Sequence, residues 1–150
     1  MKILALDLAT KCGWATWKDK KIKSGTEDFV NKKFDGAGMR YLKFSRWLTE
    51  NHIDTDMVIY EGVRMHLAGA IDAAHVYGGY MAALQTWCEE NGIPYTAEGV
   101  STIKKAWTGK GGANKDAMVH EARERGFNPI DDNEADALAI LHLGMDKFID

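Results

Sequence analysis

The chain opens on an unbroken apolar run, Ile3-Leu4-Ala5-Leu6, that ends in an acid, Asp7. A short apolar run closed by a polar residue is the pattern of a buried strand. Thr10 to Gly13 reads as a turn. Two strand-like segments follow, Gly13 to Trp17 and Ile22 to Phe29, joined by the polar turn Lys18-Asp19-Lys20. The three together predict an antiparallel meander. Residues 31–38 are polar and contain glycine, so they predict a loop, and the spacing of Tyr41, Phe44, Trp47 and Leu48 predicts a helix over about 37–51.

A second apolar run, 56–61, again ends in an acid, Glu61. A long helix is predicted over about 70–91, with a stripe of Tyr77, Tyr80, Met81, Leu84, Trp87 and Cys88 and with Gly92 as its stop. Gly78-Gly79 in mid-helix cost about 1 kcal/mol each relative to alanine, which predicts close packing there by a strand or a partner subunit. The small-residue patch Ala73-Ala74-Gly78-Gly79 fits a subunit interface or helix-to-sheet packing equally well. Next come a strand at 94–98, a short helix from Ser101 (read as its N-cap) to Trp107, and the glycine-rich turn Thr108 to Gly112. A helix from Asn114 to Arg125 and a break at Phe127-Asn128-Pro129 lead to a last helix over about 133–147, with Ala135, Leu138, Ala139 and Met145 inward. Strands first and βα alternation afterwards predict an α/β fold, one domain over 1–150 with a mixed sheet and helices packed on it.

Composition narrows the function classes. At 150 residues and 45% apolar content the chain has enough material for a packed core. No apolar run approaches the roughly 20 residues of a bilayer span, so no membrane partner is expected. An acid at position 7 interrupts what a signal peptide would continue, which predicts a cytoplasmic protein. Cys12 and Cys88 fit no zinc spacing and read as free, semi-buried thiols, and the five histidines form no HExxH or HxH pair. A nucleic-acid binder is usually basic, so the net charge of -3 counts mildly against DNA as a partner. The charges are segregated, however: lysines gather at Lys18 to Lys23, at Lys32-Lys33 and from Lys104 to Lys115, and acids from Asp131 to Asp136.

The acids carry the candidate chemistry. Asp7 and Glu61 each end a buried-looking strand, and Asp136 sits in the first turn of an otherwise apolar helix. A desolvated carboxylate needs a partner or a metal. Each acid taken alone also fits a turn, a cap or a helix-dipole role. Carboxylates from separate elements meeting at strand ends would make an oxygen-rich site suited to Mg²⁺ or Mn²⁺. Two such ions activate water and stabilise a leaving oxygen of a phosphodiester.

Four segments in order add a resemblance. Leu6-Asp7-Leu8-Ala9-Thr10-Lys11-Cys12-Gly13-Trp14-Ala15 resembles the first catalytic strand and turn of RuvC-type Holliday junction resolvases. Tyr60-Glu61-Gly62-Val63 resembles their second acidic strand, Gly109-Lys110-Gly111-Gly112-Ala113-Asn114-Lys115 their G-x-G-x-A-x-K loop, and Glu134-Ala135-Asp136-Ala137-Leu138-Ala139-Ile140 their closing helix. The spacing is similar over nearly the whole chain, and the compact size resembles the phage-type branch.

The resemblance implies an RNase H-like fold with a mixed five-stranded sheet flanked by helices. It implies a homodimeric endonuclease that hydrolyses branched DNA, the four-way junction foremost, with about two Mg²⁺ or Mn²⁺ ions per site and no organic cofactor. The products it implies are a 5′-phosphate and a 3′-hydroxyl. By position, Asp7, Glu61 and Asp136 look like metal ligands. The family's fourth ligand lies three residues before the last acid, where this chain has Asn133, a weaker neutral donor; Asp132, one residue earlier, shares the helical face and is the first choice for the fourth ligand, with Asn133 second or else a helix cap. Lys115 matches a catalytic lysine near the scissile phosphate and Lys104 another basic position in the same region; Lys110 is expected to meet DNA from a loop whose glycines let backbone amides approach a phosphate. Some family members carry an aromatic residue three positions after the second acid; here it is Arg64, which grips phosphates or stacks on bases, so loop 62–69 is expected to meet the junction. A flap- or fork-trimming nuclease and a nuclease-dead junction-binding module are the rival readings. An actin-like or sugar-kinase fold needs paired domains for which 150 residues leave no room.

Overall fold

Strand β1 (Lys2–Asp7) is buried from Lys2 to Leu6 because it is the central strand of the sheet. The structure is a computed structural model that describes residues 1–63 and 70–150. β1 is followed by β2 (Lys11–Lys18), β3 (Lys21–Asp28), α1 (Met39–His52), β4 (Met57–Gly62), α2 (Ile71–Asn91), β5 (Tyr95–Gly99), α3 (Val100–Thr108), α4 (Lys115–Glu124) and α5 (Asp132–Phe148). The sheet order is β3-β2-β1-β4-β5. β1, β2 and β3 form the predicted antiparallel meander, and β4 and β5 run parallel to β1, so the sheet is mixed, five-stranded and flanked by helices. The turn between β2 and β3 places both Asp19 and Lys20 at positive φ, the two-residue arrangement whose twist matches paired strands.

Side-chain alternation along β1 feeds two cores. Ile3 and Ala5 join Ile59, Trp107, Met118 and the buried face of α5 on one side of the sheet. Leu4 and Leu6 join Phe44, Leu48, Tyr80, Leu84 and Trp87, from α1 and α2, on the other. This double burial is why the segment reads as a continuous apolar run rather than an alternating one. Both cysteines are buried free thiols in the second core. Among the described residues no helix is long and apolar enough to cross a membrane.

Several expected details change. Residues 11–13 are strand rather than turn, because Lys11 to Gly13 continue the ladder opposite Thr26 to Asp28. Ser101 lies inside α3; Gly99, at the end of β5, occupies the cap position, because strand runs into helix with no residue between. α5 begins at Asp132 and is capped by Asp131, whose side chain accepts from the Glu134 amide, so Asn133 does not cap it and Asp136 lies one turn further in than the first turn. Gly92 does stop α2, in a left-handed conformation with its amide bonded to the helix end. Among the described residues the mid-helix glycines are not covered by a strand: a β-carbon on Gly79 would overlap the Tyr41 ring of α1, while one on Gly78 meets none of them within 4 Å.

At the start of β1 the Lys2 ammonium is buried. It donates to Asp54 Oδ1 (2.7 Å) and the Asn51 carbonyl (3.3 Å) and lies 3.2 Å from His52 Nδ1. His52 is 5% exposed, and its Nε2 has no partner among the described residues. Burial, and secondarily the Lys2 charge, pull its pKa down to about 4.

Gly78→Ala is expected to raise stability by roughly 0.5–1 kcal/mol, whereas Gly79→Ala lowers it by about 1–3 kcal/mol through the clash with Tyr41. Urea midpoints of the two variants check this, and equal shifts would contradict the assigned contacts. His52 must also stay neutral in the fold. Its folded pKa lies below the unfolded value, so its contribution is complete above roughly pH 6.5 and is lost as pH falls toward 4. Between pH 6.5 and 4.5 the wild type should lose about 2 kcal/mol more than His52→Leu, as read from paired denaturation curves.

Candidate active site

The sheet register accounts for the meeting of the acids. Asp7 lies directly opposite Gly13 of β2. β1 and β4 are parallel with Leu6 beside Tyr60, so Asp7 and Glu61 end neighbouring strands at the same edge and, by alternation, face the side that α5 covers. A β-carbon on Gly13 would overlap the backbone carbonyl of Asn133, so the first turn of α5 sits directly on Gly13, beside Asp7. From there Asp132 and Asp136, on either side of Asn133 in sequence, flank the ends of β1 and β4.

The electrostatics record this convergence. Asp7 is held well above the ordinary carboxylate range by burial first, then by Asp136, Glu61, Asp132 and Asp131 in decreasing order. Burial is also the main cause for Asp136, pushed up to about 7, with Glu61 and Asp132 adding to it and Lys104 and Lys115 opposing. Glu61 is raised by burial and eased by Lys104. Among the described residues no side chain donates a hydrogen bond to, or forms an ion pair with, the carboxylates of Asp7, Glu61 or Asp136.

As the side chains stand, no three His, Cys, Asp or Glu residues among those described are grouped so as to hold an ion. The donor chemistry nevertheless fits a hard divalent cation: all oxygen, several charges and no competing protein partner. Asp7, Glu61 and Asp136 are the residues suited to hold it. Asp132 shares its carboxylate with Lys115 at 3.6 Å, a loose pair in which the lysine side chain is 83% exposed. Asn133 contributes its backbone to the contact with Gly13.

Of the predicted basic residues, Lys104 and Lys115 bear on the acids electrostatically. Lys110 does not; it lines an open hollow with Thr108, Gly112, Asn114 and His120 in the glycine-rich loop. Arg64, with the remainder of 64–69, lies outside the described residues.

Supporting residues were missed in the sequence. Thr26 Oγ1 donates to Asp131 (2.7 Å) and Ser24 Oγ to Glu134 (2.7 Å), so β3 pins the first turn of α5 over the sheet. Glu134 also accepts from the Ile130 amide (2.9 Å). The signal was present as Asp131-x-x-Glu134, an acid three residues before a glutamate at a helix start. At the end of β4, Tyr77 Oη donates to the Glu61 carbonyl (2.9 Å) and accepts from the Val63 amide (3.1 Å), anchoring the backbone that carries Glu61. At the end of β1, Thr10 Oγ1 accepts from Arg40 (3.2 Å) and from Tyr80 Oη (3.4 Å).

No protein-family model and no curated protein sequence matches the chain. Solved structures do. Thermus thermophilus RuvC superimposes with a TM-score of 0.72 at 20% identity, over 98% of this chain and 96% of that one. T. thermophilus RuvC in complex with Holliday junction substrate gives 0.71 at 22% identity, over 93% and 90%. The yeast mitochondrial Holliday junction resolvase Ydc2 gives 0.61 at 13% identity, over 92% of this chain and 75% of that one. The chain therefore has a RuvC-like, RNase H-like α/β fold, the architecture that its ordered motifs imply.

Proposed function

We propose that this chain is a divalent-metal-dependent endonuclease that cuts four-way DNA junctions as a homodimer. The observation that carries the reading is the approach of Asp7, Glu61 and Asp136, three buried carboxylates with no hydrogen-bond or ion-pair partner among the described side chains and offset only at longer range by Lys104 and Lys115. The fold likeness to a RuvC solved on Holliday junction substrate supports branched DNA as the substrate. Among the described residues the uncovered face of α2 at Gly78 is consistent with a partner subunit, and a two-fold enzyme matches a two-fold junction.

In this reading Asp7, Glu61 and Asp136 hold Mg²⁺ or Mn²⁺, with Asp132 or Asn133 as a further oxygen donor. Bound there, such ions supply Lewis-acid activation of water and of the phosphate. Lys104 and Lys115 draw the scissile phosphate to the acids and offset the negative charge that grows on it. Lys110 and the glycine-rich loop take the neighbouring backbone, where small residues let amides approach a phosphate. Arg64, by its position after Glu61, is assigned to contact with the junction. The net reaction adds water to phosphorus and breaks the P–O3′ bond, leaving a 5′-phosphate and a protonated 3′-oxygen.

Cleavage of matched four-way, three-way and flap substrates in Mg²⁺ tests the substrate. The four-way junction should be cut at least tenfold faster; equal rates would favour a broader fork or flap nuclease, and no cutting at all a junction-binding module. Asp7→Asn should abolish cutting and spare junction binding in EDTA, and unchanged cutting would refute the site.

The same variant gives a readout independent of activity. Asp7 has a folded pKa above its unfolded value, so its ionised form opposes folding at neutral pH, and the penalty fades as pH falls through the folded pKa. Metal-free Asp7→Asn should therefore be more stable than wild type at pH 8 by about 1 kcal/mol. Added Mn²⁺ should raise the melting temperature of the wild type and leave that of the variant nearly unchanged.

A further inference from the structure

The lysine cluster at 18–23 has no part in the chemistry above, and the register places it at the other end of the sheet. Lys2 lies opposite Lys18, and Lys18 opposite Lys21; in the next row Leu4, Thr16 and Lys23 are aligned; in the third, Leu6, Trp14 and Gly25. By alternation these side chains share the face that α1 packs on, since Leu4 and Leu6 belong to that core. Beyond the C-terminal end of α1, the β2–β3 part of this face borders a hollow of about 470 Å³, where four lysines (Lys2, Lys18, Lys21 and Lys23) outnumber two acids (Asp19 and Asp54) and Trp14 and Trp47 complete the lining with His52. Asp7 is at the opposite end of β1, roughly 16 Å along the strand at about 3.3 Å per residue, and on the opposite face.

The hollow is more ordered than a solvated lysine patch. Its floor is the buried Lys2 ammonium, fixed by Asp54, Asn51 and His52. Asp54 bridges Lys2 and Lys18, each at 2.7 Å, so one carboxylate serves two cations. Lys21 and Lys23 form no ion pair with any described residue, although like charges directly across a ladder, as at Lys18 and Lys21, are destabilising. The wall is aromatic. A β-carbon on Gly25 would come 3.0 Å from the Trp14 indole, so that ring lies close over the β3 backbone. Trp47 meets Trp14 edge-on at 6.4 Å, and both rings remain partly exposed. The Trp14 indole N–H donates to no described residue.

We propose that this hollow is a second nucleotide site, distinct from the catalytic acids. It takes one nucleotide unit, with the base against Trp14 and Trp47 and the phosphate on Lys21 and Lys23. Lysines alone would suit any anion, and the tryptophan rings add a planar, sequence-tolerant platform for a base. The volume falls within the range of small-ligand sites, about 300–1,000 Å³, and exceeds what a bare phosphate fills. A free nucleotide and a unit of an unpaired DNA strand present the same chemistry.

The test uses the whole protein in EDTA. Fluorescence anisotropy follows a labelled six-residue oligothymidylate, with thymidine 5′-monophosphate and deoxyribose 5-phosphate as competitors. Lys21→Gln/Lys23→Gln should weaken oligonucleotide binding at least tenfold and leave the melting temperature and Mg²⁺-dependent junction cleavage unchanged. Thymidine 5′-monophosphate should compete at least tenfold better than deoxyribose 5-phosphate. An oligonucleotide far tighter than the mononucleotide identifies a strand as the ligand; equal affinities per site identify a free nucleotide. The proposal is overturned if wild type and variant bind alike, if the baseless sugar phosphate competes as well as the nucleotide, if binding depends on Lys104 and Lys115 instead, or if neither probe binds.

Discussion

Asn133 lies with its backbone where a side chain on Gly13 would be, and the arrangement of the acids depends on that contact. Gly13 is the cross-strand neighbour of Asp7, so the residue that lets α5 descend onto the sheet stands beside the acid that α5 must reach. Ser24 and Thr26 of β3 hold the same helix start through Glu134 and Asp131. The helix is thus fixed from below by the absence of a side chain and from the edge by two hydroxyls. Its remaining length, from Ala135 to Leu143, supplies much of the core on that face.

The consequence is electrostatic. Bringing Asp132 and Asp136 to the ends of β1 and β4 places like charges together in a partly desolvated pocket, where Glu61 and Asp132 add to the effect of burial in raising the proton affinity of Asp7 and Asp136. Such a cluster opposes folding, and folded chains tolerate it where a function requires it. The lysines that moderate it, Lys104 and Lys115, come from α3 and α4; the Lys115–Asp132 pair is long and solvent-exposed, so its strength is small.

Charge is distributed along the sheet as well as across its surface. The acids gather where β1 and β4 end, and Lys18, Lys21 and Lys23 of β2 and β3 gather where β1 begins. A net charge of -3 therefore describes neither end. Proteins that meet polyanions do so with local fields, and the sign of the whole chain is a poor guide to them.

Local pattern was sufficient for most of the architecture. The apolar runs before Asp7 and Glu61, the stripes of α1 and α2 and the stop at Gly92 follow from periodicity and backbone sterics, which act within a few residues. The four ordered motifs pointed to the same fold and to Asp7, Glu61 and Asp136 as a group. What sequence could not supply was anything set by approach between distant segments. Gly13 reads as a turn glycine until Asn133 is seen to occupy its side-chain space. Gly79 reads as a weak point in a helix until Tyr41 fills the gap. Ser24 and Thr26 are ordinary strand residues until α5 lands on them. The lysines of 18–23 are a charged run until register aligns them with Trp14 and with the buried Lys2. Periodicity encodes which face of an element is buried; only the folded sheet, by bringing residues more than 100 positions apart to hydrogen-bonding distance, decides what that face meets.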